Sequence, residues 1–331
     1  MVAQIDKYYF KLRPKKALVR LLTYSLFEGR PLTTKGRWIN PLVFSISASA
    51  KRLPISNRVK KPIFIVGTGR SGTTILGVIL SIHNDIGFLN EPKAIWHSVV
   101  GYEDLVGSYS QKKALYKLTE SDATPKVIES LNRIYSFYLK LTGSRRICDK
   151  YPELIFRIPF VKAVFPDAKF LFLVRNGWDT CSSIDKWSDR LGIQDRDNVY
   201  DWWGINGRKW DLLVEQVVPG HSDLAEFSER IRNFDREIDK AAVEWILSMR
   251  EGIYWRNMFP DSFHTVIFEK LLEEPIAELQ SIRDFCELGD DPVFSKYAIK
   301  TLHPVPSKEP FTIDPCISEP FNQMMKDLGY S

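Results

Sequence analysis

From Pro62 onward, short runs of apolar, β-branched residues alternate with longer stretches in which apolar positions recur at helical spacing. That alternation predicts parallel strands joined by crossover helices. The predicted strands run from Ile63 to Val66, Arg146 to Cys148, Lys169 to Val174 and His264 to Phe268. Predicted helices begin near Thr73, run through Lys112 to Leu141 and Pro152 to Phe165, and start again near Trp178. Further helices cover Tyr200 to Val217, Asp235 to Phe259 and Pro275 to Cys286. The stretch "FLFLV", Phe170 to Val174, is apolar throughout, which suits a central strand buried on both faces. The pattern reads as a single α/β domain over residues 62–331, with a central parallel sheet between helical layers.

Residues 1–61 read as a basic extension packed on that domain. The segment "KYYFKLRPKKALVRLLTYSLF" is basic and aromatic with a partial helical period. It reads as a packed helix with a solvated basic face. The alternative is a helix lying on a membrane surface or against an acidic partner. The longest uncharged runs, Trp38 to Ala50 (containing Pro41) and Ser71 to Asn84, fall short of the roughly 18 residues that a spanning helix requires. Cations from Lys7 to Arg20 are interleaved with the apolar residues, unlike a signal peptide. The expectation is a cytoplasmic chain, peripheral to a membrane if its basic N-terminus makes a weak surface contact.

With 331 residues, 44% hydrophobic and 13% aromatic, the chain can bury a sizeable core. A formal net charge of +5 suggests anionic ligands rather than nucleic acid, which usually demands a denser basic face. The four cysteines form no C-x-x-C pair, and the five histidines are dispersed. Neither a disulfide scaffold nor a metal site is expected.

Candidate chemistry begins with "FIVGTGRSGTTILG", Phe64 to Gly77, a strand, a glycine turn and a helix start. That order makes an anion cradle from backbone N–H groups and the positive end of the helix dipole. Gly67 through Thr74 approximates G-x-x-x-x-G-K-[ST], but Thr73 stands where the lysine belongs. Its loss argues against phosphoryl transfer from a nucleoside triphosphate.

"GTGRSGTT" resembles the 5′-phosphosulfate loop of sulfotransferases that use 3′-phosphoadenosine 5′-phosphosulfate (PAPS), in the subgroup with arginine in the loop. The resemblance implies a P-loop-like three-layer α/β/α fold, with Gly67, Thr68, Gly69, Arg70, Ser71, Gly72, Thr73 and Thr74 around the 5′-phosphosulfate. A second stretch, "FLFLVRNGWDTCSSI", is similar to the family's 3′-phosphate site, an arginine and a serine eight positions later, which fall on Arg175 and Ser183. The structural alternative is that Asp179 caps a helix while Ser182 and Ser183 face solvent. A third stretch, "TVIFEKLLEEPIAELQSIRDFCEL", is similar to the family's strand with Tyr-Glu-x-Leu, with Phe268 in place of the tyrosine. The resemblance covers about Lys61 to about Leu288.

Sulfuryl transfer needs a base for the acceptor's proton and cations for the developing charge. In the tyrosylprotein and carbohydrate sulfotransferases that this chain resembles the base is a glutamate, and the match falls on Glu91 in "GFLNEP". Steroid- and phenol-type relatives use histidine, which keeps His83 and His97 as alternatives. Lys150 in "CDKYP" matches a lysine proposed to stabilise the transition state, beside Arg70; its bland reading is a solvated lysine on a strand end. Ser307 and Lys308, in "KTLHPVPSKEPFT", are candidates for contacting PAPS through a closing segment, or belong to a surface loop. Trp202, Trp203 and Trp210 either line an acceptor site or belong to the core.

The resemblance implies a PAPS-dependent enzyme that releases 3′,5′-adenosine bisphosphate, needs no metal, and acts on a hydroxyl or amine of a carbohydrate, glycolipid, peptide or small molecule. The alternatives are a P-loop small-molecule kinase and a non-catalytic nucleotide-binding module.

Overall fold

The computed structural model describes residues 3–31, 33, 34, 36–54, 58–195 and 197–330. Five strands, β1 (Ile63–Gly67), β2 (Ile86–Asn90), β3 (Arg146–Lys150), β4 (Lys169–Val174) and β8 (Phe263–Ile267), form one parallel sheet in the order β2-β3-β1-β4-β8. Between β4 and β8 the chain inserts a small antiparallel ribbon of β5 (Ile193–Asp195), β6 (Asn198–Asp201) and β7 (Gly204–Ile205). The large sheet lies between helical layers in a single three-layer α/β domain.

Both faces of this sheet are buried, and the strands alternate between two cores. Phe64, Val66, Phe170, Phe172 and Val174 point into one, and Ile63, Ile65, Leu171 and Leu173 into the other. A strand whose neighbours lie on both faces has no polar positions to spare, which is why β4 was readable as an unbroken apolar run.

Three helices belong to the extension: α1 (Lys7–Leu12), α2 (Pro14–Leu26) and α3 (Asn40–Ala50). β2 is an edge strand, and side chains from α2 and the turn after it satisfy its outward groups. Lys16 donates to the Ile86 carbonyl at 2.8 Å, Arg20 reaches the Phe88 carbonyl at 3.5 Å, and Glu28 accepts from the Asn90 N–H at 2.7 Å. A bare edge would invite pairing with another chain, and this lattice of side chains closes it. Arg20 and Glu28 are themselves a buried ion pair.

After β1 come α4 (Thr73–Ile82), α5 (Lys93–Val99), α6 (Pro125–Thr142), α7 (Ile158–Val164), α8 (Gly177–Leu191) and α9 (Arg208–Gln216). Two short helices, α10 (Ser222–Ala225) and α11 (Ser228–Arg232), precede the long α12 (Glu237–Met258), with α13 (Phe268–Glu273), α14 (Pro275–Cys286), α15 (Pro292–Thr301) and α16 (Pro315–Asp327) behind it.

Several elements differ from their predicted form. β2 had no predicted counterpart, because its five residues sit between His-Asn-Asp and Asn-Glu-Pro turns. Only the second half of the stretch from Lys112 to Leu141 is helical; Thr124 accepts from the Val127 N–H and Pro125 follows, an N-cap that starts α6 there. Pro152 and Pro159 split the next predicted helix into a 3₁₀ turn, Pro152–Arg157, and α7. The helix expected from Tyr200 begins only at Arg208, since Gly204, Asn206 and Gly207 close the ribbon first.

Candidate active site

The five parallel strands end at one rim, where ligands of open α/β sheets bind. At its centre, β1 gives way to a turn that starts α4. Gly72, at φ +100°, is the N-cap, and no side chain caps the helix. The first N–H groups of α4 are thereby left for a ligand, at the positive end of the helix dipole. Ser71 is buried and donates its hydroxyl to the Thr68 carbonyl at 2.6 Å, so it closes the turn from within. Gly67 and Thr68 are likewise buried beneath the loop. Gly69, Arg70, Gly72, Thr73 and Thr74 border a cleft of about 300 Å³.

Gly72 is held from two directions. Its φ lies where an L side chain is strained, and a Cβ there would stand 2.3 Å from the Phe268 ring. Gly72→Ala is expected to displace Phe268 and to lower the unfolding free energy by about 1–3 kcal/mol in denaturant titration.

Arg175 follows β4, the strand beside β1. Its guanidinium donates to the Arg70 carbonyl at 3.1 Å and lies over the Phe268 ring, 4.8 Å from the centroid. Arg70 in turn donates from Nε to the Ser183 hydroxyl at 3.2 Å. Arg175 thus faces the glycine turn, and the loop, Arg175 and Ser183 converge on one cleft. Burial, then Arg190 and Arg175, pull the Arg70 pKa down. Guanidiniums crowded in this way are relieved by an anion. The buried Arg175 Nε has no partner. Asn176 caps α8, accepting from the Trp178 and Asp179 N–H groups; the Asp179 carboxylate instead accepts from the Lys308 N–H at 2.7 Å and stands 3.9 Å from Arg175.

Glu91 leaves β2 in the left-handed region, at φ +48°. Its N–H donates to the Lys150 carbonyl and its own carbonyl accepts from the Lys93 N–H, each at 2.7 Å. Such backbone conformations in a non-glycine residue persist where the surroundings over-determine them. The half-exposed carboxylate is hydrogen-bonded by Lys150, which is buried, and lies 3.6 Å from Lys93. Burial alone would raise its pKa, but Lys150 and Lys93 together outweigh it and hold the group below its ordinary 4.5. Glu91 is therefore ionised at neutral pH.

The charges continue beyond Glu91. Lys93 pairs with Glu153 at 3.0 Å, Glu153 lies 3.9 Å from Lys209, and Lys209 pairs with Glu244 at 2.5 Å. Burial is the largest influence on Glu153, yet Lys93 and Lys209 reverse it and bring its pKa to about 2. Glu244 then accepts from the Trp202 indole at 2.7 Å. Trp202 packs so closely on the loop that a Cβ on Gly69 would stand 2.4 Å from its ring. A second, mostly apolar cavity of about 110 Å³ lies here, walled by Trp187, Tyr200 and Trp202 and shared with the first cleft at Gly69, Glu91 and both tryptophans. Glu91 stands where the two meet. A third hollow of about 170 Å³, bordered by Tyr24, Arg30 and Tyr109, touches the other side of Glu91 and Lys93.

The structure thus brings Arg70, Glu91, Lys150, Arg175 and Ser183 to one cleft. Ser307 and Lys308 are exposed on an irregular segment and do not border it. His83 ends α4 away from the loop, bonded to the Gly289 carbonyl, and His97 packs against Tyr109. Trp203 and Trp210 are core residues, while Trp202 borders both cavities. Among the described residues, no three His, Cys, Asp or Glu side chains are grouped to hold a metal. Sequence reasoning missed Lys93, Glu153, Lys209 and Glu244. They stand on separate elements, and each reads alone as a solvated charge.

Residues 62–198 match the description of the sulfotransferase family. The chain is 31% identical over 241 residues to protein-tyrosine sulfotransferase A of Caenorhabditis elegans, an alignment covering 71% of this chain and 52% of that protein. It is 34% identical over 133 residues to the protein-tyrosine sulfotransferase of Drosophila melanogaster, covering 39% and 26%. The chain therefore spans about half of the nematode protein and a quarter of the fly one. Among solved structures, a sulfotransferase from Mycobacterium avium superposes with a TM-score of 0.49 at 11% identity, covering 99% of this chain and 96% of that one. The sulfotransferase domain of the Synechococcus PCC 7002 olefin synthase gives 0.48 at 18% identity, covering 84% and 98%.

Proposed function

We propose that this chain, which is similar to the sulfotransferase family over residues 62–198, moves a sulfuryl group from PAPS to an acceptor hydroxyl, with Glu91 as general base. The observation that carries this reading is the convergence of Arg70, Arg175 and an uncapped helix start on a cleft that also holds the ionised Glu91. The residues fit the donor: the loop N–H groups and Arg70 suit a phosphosulfate, and Arg175 with Ser183 suits a 3′-phosphate. When bound, PAPS supplies the sulfuryl group, whose sulfur exchanges its bond to the phosphate oxygen for one to the acceptor oxygen.

Glu91 takes the acceptor's proton on its carboxylate. Lys150, already bonded to that carboxylate, and Arg70 stabilise negative charge at the loop, so positioning and electrostatics supply the catalysis. The cavity walled by Trp187, Tyr200 and Trp202 receives the acceptor and screens the reacting oxygen from water. Its narrow, aromatic shape suits a ring-bearing alcohol, in keeping with the tyrosine named in the relatives' descriptions.

Labelled sulfate offered as PAPS to a native cell extract should appear in an acceptor fraction with the wild-type chain and not with Arg175→Ala. Transfer should persist in EDTA. Tight binding of 3′,5′-adenosine bisphosphate with no labelling of any fraction would overturn the catalytic reading.

The lysines beside Glu91 fix the acid limb of the pH profile. Because its pKa is held below 4.5, the carboxylate stays ionised as pH falls, and activity is lost only as pH drops through that lowered value. Lys93→Met removes one of the two outweighing charges and leaves burial less opposed. The acid limb of kcat/KM should then move to higher pH, and an unmoved limb would assign it to another group.

A further inference from the structure

We propose that the N-terminal extension docks the protein on an anionic lipid surface through Leu18, Leu22, Trp38 and Leu42. The proposal concerns a face of the molecule separate from the cleft and does not depend on the transfer reaction.

Charge is distributed unequally along the chain. Residues 7–60 contain thirteen lysines and arginines and one acid, Glu28, whereas the whole chain has 46 basic and 41 acidic residues. The remainder is therefore net negative, and the positive charge of the protein belongs to this segment. Glu28 is buried against Arg20 and contributes nothing to the surface. Lys7, Lys11, Lys15, Arg37 and Arg52 are exposed.

Among these cations lie apolar side chains that the fold leaves in water. On α2 the inward positions are Ala17, Arg20 and Thr23, and the opposite side carries Lys15, Leu18 and Leu22 at helical spacing, with the exposed Lys11 near the end of α1 just before it. Leu18 is 60% exposed and Leu22 48%. α3, which packs beside α2, buries Val43, Ser47 and Ala50 and leaves Leu42 exposed. Trp38, in the 3₁₀ turn leading into α3, is 82% exposed. A solvated basic face does not need three leucines and a tryptophan. Apolar side chains rimmed by lysine and arginine suit the interface of an anionic bilayer, where the rings and leucines enter the headgroup boundary and the cations meet lipid phosphates. A nucleic acid or other soluble polyanion would use the cations and gain little from Leu18 or Trp38.

The test is co-sedimentation of the full chain with vesicles of phosphatidylcholine alone and of phosphatidylcholine mixed with phosphatidylglycerol. The mixed vesicles should bind it at least about ten-fold more tightly, with affinity falling as salt rises. Leu18→Glu combined with Trp38→Ala should lower that affinity about ten-fold or more, leave thermal unfolding unchanged because both side chains are exposed, and leave any binding to heparin unchanged. Lys11→Glu combined with Lys15→Glu should lower vesicle binding as well. Three results would overturn the proposal: no binding to mixed vesicles, vesicle binding indifferent to Leu18 and Trp38, or a wild-type dimer in sedimentation that Leu18→Glu with Trp38→Ala converts to monomer.

Discussion

Glu91→Gln is expected to lower kcat by roughly a hundred- to ten-thousand-fold, the contribution typical of a positioned general base, with affinity for 3′,5′-adenosine bisphosphate changed little. The amide has nearly the size of the carboxylate and its oxygen can still accept from Lys150, so the turn should keep its shape. What disappears, on the proposed function, is a site for the acceptor's proton. Steady-state kinetics with PAPS and a labelled acceptor, run beside calorimetry with the bisphosphate, separates the two effects. A weakened bisphosphate complex with kcat intact would place Glu91 among the donor-binding groups instead.

The second large effect is structural. Arg20 and Glu28 are 4% and 2% exposed, and Glu28 also accepts from the N–H of Asn90, the residue before Glu91. Breaking a buried ion pair from one side strands the other charge, at a cost of about 3–5 kcal/mol. Glu28→Ala should therefore lower the unfolding free energy by that order in denaturant titration, and should lower kcat because β2 loses the partner at its last residue. Replacing both residues together, Arg20→Met with Glu28→Leu, should recover much of the stability, since no charge is left stranded. It should not recover the rate, because Asn90 remains unbonded. Recovery of both would mean that the pair serves stability alone.

Which parts of this architecture could be read from the chain follows from where the information is stored. β4 was legible to the residue because both its faces are buried and every position from Phe170 to Val174 is apolar. The glycine loop and its helix were legible because conformation and chemistry are written into one short stretch. Arg175 and Ser183 were legible for a related reason, their spacing along one strand, loop and helix. β2 was not, since five residues between two turns carry too little pattern, and the ribbon at 193–205 was hidden inside a stretch rich in helix-compatible residues. The alternating charges from Lys150 to Glu244 were out of reach for a different reason. Each pair is closed by tertiary packing between elements as distant as Lys93 and Glu153, or Glu153 and Lys209, and no local pattern announces which charge will meet which. Trp202 shows the same limit: beside Trp203 in sequence, it points to the cavity while its neighbour fills the core.

The origin of the cavity walls has a consequence for how this molecule could diversify. The donor loop, Glu91, Lys150, Arg175 and Ser183 all fall within residues 62–198, while Pro31 and Thr33 on one side and Tyr200, Trp202 and Lys209 on the other lie outside that span. Substitutions in those flanking walls can reshape what enters without touching the groups that activate it. On the proposed function, these flanking walls are one place where the choice of acceptor can change while the groups that hold the donor stay fixed.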